Sequence, residues 1–564
     1  MGVVRKSKLL FIPTSYKENN MLTIIPSSGN NLLSFSRSSA SWRTNENLDV
    51  ELVPFNWLDN ADSAVLAPRR ANFTYSATTS PSGEENATLM IEDTSSFYTH
   101  GSYTYYSSTS YLTQENISCY VKDYSNDRNF IIYVYHKDRQ VAFNIQNGTV
   151  VSNTEPSRFT PSIQDVGDGW YRCSVGMDWS GTSTSTNMVL ELGNPDGGYV
   201  GNGTSGLYIY GMQRTSGLDL KPYFSRTNGL NTPTVDYSDG EPTVLIEDGK
   251  TNYLTHSEDF ASRIWQSGVT VNANTTMAPN HSPFASEIVY KQTDGFLIWY
   301  LPNIVTGTYT FSMYVKKSQD NIISFRNEYH LSGSNNLTVT FDFENESMTG
   351  GTFTKLSRGW YRLESSITTT TTRNQLRMVP LNCRFYAFGA QLELGNHAST
   401  YIRTLGSTVT RSGDSKVNIV PSPQTNGFLG DTGSVYIRGY LKGNTQHYNY
   451  VFAVSGFNGI SFRYLIDGVT LQMRIYDNSA YIGDITLDSN YYNGKEFRIL
   501  FKYDGQKCYF FHNGALKGNL NFTGKVNQIF SSGGNYTGPS TIGIKDLILF
   551  NTLISDEDAI SLTR

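Results

Sequence analysis

Charge is the first thing this sequence is short of. Only 16% of its 564 residues are charged, against roughly 25% in an average soluble protein. Lys plus Arg at 44 against Asp plus Glu at 49 leave a formal charge of -5, and a chain with no basic excess or basic run lacks the electrostatic footprint of a nucleic-acid binder. Cysteine is scarce as well. Cys119, Cys173, Cys383 and Cys508 are four singletons with no CxxC or Cys/His pairing among them, so metal-ligand and redox spacings are absent. Cys119 and Cys383 lie among apolar and aromatic strand residues and read as buried thiols. No apolar run approaches the roughly 18 residues of a membrane span, and the apolar stretch of about six residues before Pro13 is too short for a signal-peptide core. These absences predict a soluble protein with no nucleic-acid partner, no membrane insertion and no export signal. The Asn-x-Ser/Thr triplets at Asn72, Asn116 and Asn336 then read as chance matches in a chain rich in Asn and Thr.

What the chain has in quantity is aromatic: 13%, with Tyr 38 and Phe 30. Ser, Thr, Asn and Gly dominate the remainder, residues that favour strands, turns and local side-chain to backbone hydrogen bonds over helix interiors. This composition excludes a long helical bundle and predicts a sheet-rich chain. At 564 residues the length suggests about three or four domains.

A repeat organises the middle of the chain. Ile117 to Lys122 reads IleSerCysTyrValLys, followed by Asp168, Gly169, Trp170, Tyr171, Arg172, then Tyr208 to Gln213, and Tyr223 ahead of Ser225, Arg226, Thr227. The same order returns as PheSerMetTyrValLys from Phe311 to Lys316, then Gly359, Trp360, Tyr361, Arg362, then Tyr386 to Gln391, and Tyr401 ahead of Arg403 and Thr404. A spacing of roughly 180–190 residues marks a duplicated domain rather than a solenoid repeat. The segment Val53 to Leu58 answers Asp248 to Leu254 at the head of each copy. The expected boundaries are an N-terminal arm at 1–30, module 1 at 31–230, module 2 at 231–412 and a different module at 413–564.

Within the modules apolar residues alternate. Tyr309, Phe311, Met313 and Val315 point one way while Thr310, Ser312 and Tyr314 point the other, and Val339, Phe341 and Phe343 repeat the pattern. Many short strands between Gly, Asn and Ser turns predict two packed antiparallel sheets, a sandwich or jelly roll. In the last segment Glu496 to Tyr503 precedes an Asp504-Gly505 turn, Cys508 to His512 returns, and Asn513-Gly514 turns again. Phe497, Ile499, Phe501 and Tyr503 share one face there, Ile542 to Phe550 makes a closing strand, and Ser555 with Asp556, Glu557 and Asp558 opens a short helix. The fold class is therefore all-β.

Three sets of residues carry a resemblance. Lys8 to Pro13 with Tyr16, Lys17, Ile24, Ile25, Pro26, Phe35 to Ser39 and Arg43 to Asn45 resembles the start of modular bacteriophage virion proteins. The repeats, with GWYR and the stretch from Tyr386 to Gly395, look like carbohydrate-binding-type jelly rolls of tail and head fibres. Residues 413–564 resemble a concanavalin-like, laminin-G-type domain, carried by Tyr503 to Gly514 and Ile544 to Ile560. The resemblance implies a virion fibre of head or tail, made in the host cytoplasm and displayed on the particle surface. It further implies a homotrimer, attachment to capsid or tail proteins through the N-terminal arm, and binding of host-surface or environmental glycans. A purely structural decoration protein is the second reading and a polysaccharide depolymerase the third.

A depolymerase needs two carboxylates flanking the scissile bond. The acids of residues 415–564 are Asp431, Asp467, Asp477, Asp484, Asp488, Glu496, Asp504, Asp546 and residues 556–558; nearly all sit beside Gly, Asn or Ser, and none forms a Glu-x-Asp-x-x-Glu arrangement. No catalytic residues are therefore expected. The scattered His residues form no helical metal motif, and Gly193 to Gly198 reads as a turn rather than a phosphate loop. No cofactor is expected; Ca²⁺ is the one cation that the loop Asp and Asn oxygens suit, without EF-hand spacing. Sugar binding is better served, because aromatic rings offer flat apolar faces to pyranose C–H groups. Tyr448, Tyr450, Phe457, Tyr476, Tyr481, Tyr491 and Tyr492, all close to turns, are the candidate contacts. The plain alternative for each is sandwich core, a cross-strand pair or a subunit contact. Trp170 and Trp360 recur at matched positions and read as core. Arg37, Arg43, Arg226 and Arg403 lie in joining segments, where they pair acidic groups across a boundary or remain exposed linker charge.

Overall fold

The computed structural model describes residues 9–11, 16–17, 20–21, 34–37, 39, 41–53, 67–97, 100–104, 114–125, 127–134, 139–179, 188–193, 199–220, 223, 234–261, 265–291, 295–304, 306–328, 336–369, 373–420, 432–443, 449–454, 460–464, 470–477, 480–491, 494–523, 529–531, 540–550 and 552–564. The chain divides into two compact units, one of Lys17–Asn19 and Pro54–Gly229, the other of Met1–Tyr16, Asn20–Val53 and Leu230–Arg564. Both are built from antiparallel sheets, and among the described residues the α-helix is Asp556–Thr563. Ser555 caps it as expected, its Oγ accepting from the Asp558 amide at 3.1 Å, with the acidic first turn set against the helix dipole. No helix among these residues is long and apolar enough to cross a membrane.

The smaller unit is a sandwich of two six-stranded sheets. One runs Ala71–Thr78, Ala87–Glu92, Gly206–Ser216, Gln114–Asp123, Trp170–Asp178, Phe159–Gly167. The other runs Ala67–Arg69, His100–Thr104, Met188–Gly193, Asn129–Val134, Arg139–Asn144, Thr149–Asn153. The second copy repeats this order strand for strand. Its first sheet runs Val269–Thr276, Ala285–Tyr290, Arg384–Leu394, Gly307–Lys317, Trp360–Thr369, Thr352–Lys355, and its second runs Trp265–Ser267, Phe296–Ile304, Arg373–Pro380, Ile322–Glu328, Asn336–Asp342, Ser347–Thr349. The duplication read from the sequence is a duplication of topology. The alternation holds too, with Tyr309, Phe311, Met313 and Val315 in the core of the second copy.

The repeated motif residues converge on one buried constellation in each copy. In the first, Tyr120, Tyr210, Tyr223 and Trp170 pack together; in the second, Tyr314, Phe388, Tyr401 and Trp360 do the same. The Arg of GWYR lies over the first ring of each set, Arg172 at 5.0 Å from the Tyr120 centroid and Arg362 at 5.5 Å from Tyr314, and each donates to the preceding serine, Ser118 and Ser312. The repeated Gly follows from this packing. Gly211 and Gly389 have φ of 59° and 61°, at a point where the register of the pairing shifts, a bulge that only glycine enters cheaply. A Cβ on Gly389 would lie 2.8 Å from Tyr314 Cδ2 and 3.2 Å from Tyr401 Cε2. Gly389→Ala is expected to destabilise the fold by about 1–3 kcal/mol; an unfolding midpoint equal to wild type would remove the motif glycine from the packing account.

The larger unit corrects the expected boundaries. Its distal sandwich pairs an eight-stranded sheet with a seven-stranded one. The first holds Gly433–Gly443, Glu496–Tyr503, Lys507–His512, Ala515–Asn521 and Ser540–Phe550, joined by Thr234–Asp236, Thr243–Glu247 and Leu9–Phe11. Ser34–Ser36 pairs into the second through Ser415–Val420. Segments assigned to the arm and to the two jelly rolls thus complete the last sandwich. Burial is the reason: Val235, Val244 and Ile246 pack in its core with Phe497, Ile499, Phe501 and Tyr503, and the unpaired edge of Ser540–Phe550 is covered. Leu9–Phe11 is therefore a sheet strand rather than part of a free arm. Residues 54–58, the head of the first repeat, lie outside the described residues.

Arg37 and Arg43 are buried ties within this unit. Arg43 donates to Glu51 at 2.6 Å and to the Val235 carbonyl at 2.8 Å, and Arg37 donates to Thr234 Oγ1 at 2.7 Å. Both join the N-terminal segment to the strand that opens the second module. Arg403 pairs inside its own module, with Glu258 at 2.8 Å. Arg226 lies outside the described residues. All four cysteines are buried free thiols.

Candidate functional site

The distal sandwich presents one sequence-predicted pair of aromatics on its surface. Leu471–Asp477 and Ala480–Asp488 are neighbouring strands at the rim of the seven-stranded sheet. Leu471, Met473 and Ile475 are fully buried, so strand alternation turns Gln472, Arg474 and Tyr476 outward. Across the ladder Ile475 faces Gly483 while Tyr476 faces Tyr481, with a register shift between them. That extra residue brings Tyr481 opposite Tyr476.

The two rings meet edge to face, with centroids 5.8 Å apart and planes at 60°. Tyr481 is 55% exposed. Arg474 fixes the pair from beside it: its Nε and Nη2 donate to Asp484 Oδ1 and Oδ2 at 2.7 and 2.8 Å, and its guanidinium lies 4.9 Å from the Tyr481 centroid. The Asp484 pairing holds Arg474 firmly as a cation. The result is an exposed ring on a preformed support, flanked by a fork of charged donors and acceptors. This can stack on an apolar face and hydrogen-bond the hydroxyls around it.

Of the other predicted contacts, Tyr491 belongs to the core. It is fully buried, and its hydroxyl accepts from the Leu441 amide at 2.9 Å and donates to the Lys495 carbonyl at 2.5 Å. It is no ligand contact, because no face of the ring reaches the surface. Tyr450 lies in the strand Asn449–Val454, in register with Arg463. Tyr448, Phe457 and Tyr492 lie outside the described residues.

Sequence reasoning missed a cleft of about 740 Å³ in the second module. His256, Glu258, Asn274, Phe284 and Arg403 line it. Its floor is fixed, since Glu258 accepts from the Tyr401 hydroxyl at 3.0 Å and pairs with Arg403 at 2.8 Å. These residues come from three separated stretches of chain, and no spacing in the sequence announces them.

The carboxylates of the distal sandwich are engaged elsewhere. Arg438 binds Asp546 at 2.5 Å and Glu241 at 2.7 Å, and Lys545 reaches Glu241 at 2.7 Å and Glu496 at 3.3 Å. Arg438 and Lys545 hold the Glu241 carboxyl below its usual range. No group of three or more His, Cys, Asp or Glu among the described residues is placed to hold a metal ion. Of the glycosylation triplets, Asn116 is 3% exposed and is closed to modification in the folded chain.

No protein-family model matches this sequence, and no curated protein matches it. Solved structures give loose matches. The sialyllactose-bound CBM40 of the Ruminococcus gnavus IT-sialidase is 17% identical over 24% of this chain and 83% of its own, with a TM-score of 0.20. The tandem CBM22-1–CBM22-2 domain of Paenibacillus barcinonensis Xyn10C is 11% identical over 63% and 99%, with a TM-score of 0.22. The LG1-3 region of the laminin alpha2 chain is 11% identical over 81% and 96%, with a TM-score of 0.16. TM-scores this low carry no functional weight.

Proposed function

We propose that this chain is a non-catalytic glycan-binding protein whose distal sandwich carries a sugar contact at Tyr476 and Tyr481. The single observation behind this reading is the exposed Tyr481 ring, braced by Tyr476 and by the Arg474–Asp484 fork. Aromatic faces with a few convergent polar groups are what pyranose recognition uses. The ion-paired acids around Arg438 and Lys545 support the non-catalytic half, because a general acid needs a carboxyl that can hold and release a proton. Weak sites of this kind gain strength by multiplication. The resemblance of the N-terminal stretch and the repeats places the chain, in this proposal, as a homotrimeric phage head or tail fibre displayed on the virion. Its attachment to capsid or tail proteins runs through the N-terminal residues. A purely structural decoration protein is the second reading, favoured by the repeated motif residues being core.

The purified full chain is to be tested on a broad glycan panel, with and without EDTA. Specific binding is expected, and Tyr481→Ala is expected to weaken it about tenfold or more, the loss typical of an interface anchor, with no more than about 1 kcal/mol lost from stability, the worth of its edge-to-face contact with Tyr476. Binding lost instead with Asn274→Ala moves the site to the cleft. A blank panel from a well-folded chain decides for the structural reading. Analytical ultracentrifugation at micromolar concentration is expected to show a trimer, and a monomer there contradicts the fibre proposal.

A further inference from the structure

The smaller unit holds two of the chain's cysteines face to face. In the ladder between Gln114–Asp123 and Trp170–Asp178, Cys119 is the direct partner of Cys173. Directly opposed residues of an antiparallel pair have Cα atoms about 4.5–5.5 Å apart and side chains on the same face. A disulfide requires about 4.4–6.8 Å. Both side chains point into the same core, and the Cys119 sulfur is close enough to disfavour charge on Cys173. Cys119 Sγ now donates to the Tyr120 and Tyr210 carbonyls at 3.4 Å, two weak bonds that closure would give up.

The duplicated module shows that the fold does not ask for sulfur here. The matched pair in the second copy is Met313 opposite Leu363, both buried in its core, where any apolar pair would serve. Two cysteines at both partner positions of the first copy, and at neither of the second, is a pairing that packing does not explain.

We propose that Cys119 and Cys173 form a cross-strand disulfide when this module folds in an oxidising medium. The oxidant is a small-molecule disulfide such as oxidised glutathione. One cysteine thiolate attacks it, giving a mixed disulfide and one free small thiol; the second thiolate displaces the other. The protein loses two protons and two electrons, and the oxidant is reduced to two thiols. Burial pushes the Cys119 thiol up to about 12 and raises Cys173 as well, so neither is a nucleophile once the sheet has packed. Closure therefore belongs to folding or to an opened state. The bond would enclose the strands from Asn129–Val134 to Phe159–Gly167, stapling part of both sheets.

The test refolds the full chain from urea in a glutathione redox buffer and in a reducing one. Peptide mapping of the oxidised product is expected to show Cys119 linked to Cys173, with Cys383 and Cys508 still alkylatable. The oxidised form should melt roughly 5–15 °C higher than the reduced form in the transition of this module. Cys173→Ala should remove that difference, and Cys119→Ala provides the same reading should the first variant fold poorly. All four thiols alkylatable after oxidative refolding, or a link to Cys383 or Cys508 in place of the Cys119–Cys173 pair, would each overturn the proposal.

Discussion

Replacing Glu247 by alanine is expected to remove about 3–5 kcal/mol of stability, the loss seen when one partner of a buried ion pair is deleted. Glu247 is 1% exposed and lies in the strand Thr243–Glu247, which the distal sandwich takes from the far end of the second module. Its Oε1 accepts from the Thr400 amide at 2.9 Å and its Oε2 from the Thr400 hydroxyl at 2.8 Å. Arg411, 2% exposed, stands 3.6 Å away. Alanine would leave that guanidinium buried with its opposite charge withdrawn and would strand the Thr400 donors. Glu247→Gln keeps an acceptor for Thr400 but not the charge, so it should fall between wild type and alanine. Urea denaturation of the full chain measures this; an alanine variant within about 0.5 kcal/mol of wild type would mean that water or a neighbouring carboxylate takes over the pairing.

The same residue shows where the sequence stopped being legible. ThrValLeuIleGlu at 243–247 is buried along its whole length, and an apolar run of that kind announces a strand without saying which sheet it joins. Its partners, Thr541 to Ile544, lie more than half the length of the chain away. The repeats were legible because identical residues recur in order, and Trp170 and Trp360 are the core residues expected. The meaning of the Arg and Gly in those motifs was not, because it depends on a bulge that places Gly211 and Gly389 under aromatic rings. Turn proximity selected both Tyr481 and Tyr491, yet one is on the surface and the other in the core. Alternation separates them only once the register is known. Arg474 and Tyr476 share strand parity, so that half of the site could have been found; Asp484 required the cross-strand pairing. Cys119 and Cys173 looked like singletons for the same reason.

Asp414 carries the second large effect, in the dependence of stability on pH. It sits where the second module passes into the distal sandwich, its Oδ2 accepting from the Glu247 amide at 2.8 Å. Arg37 faces it at 3.8 Å, Arg411 adds positive charge and Glu247 negative. Burial outweighs the two arginines and raises its carboxyl from 3.8 to about 6. A folded value above the unfolded one means that the native state binds the proton more tightly. The stability contributed by Asp414 is then fully present below pH 3.8 and is lost as pH rises through 6. Integrated over both values, the loss approaches about 3 kcal/mol, of which about 1.4 kcal/mol falls between pH 5 and pH 7.5. Asp414→Asn keeps an acceptor for the Glu247 amide and has no proton to lose. The stability of this variant relative to wild type should therefore improve by that amount from pH 5 to pH 7.5. His397, whose burial lowers its own titration, is common to both proteins and cancels in the difference. A difference that stays flat across this range would mean that Arg37 and Arg411 keep Asp414 ionised throughout, and the junction would be a closed ion cluster rather than a site that holds a proton.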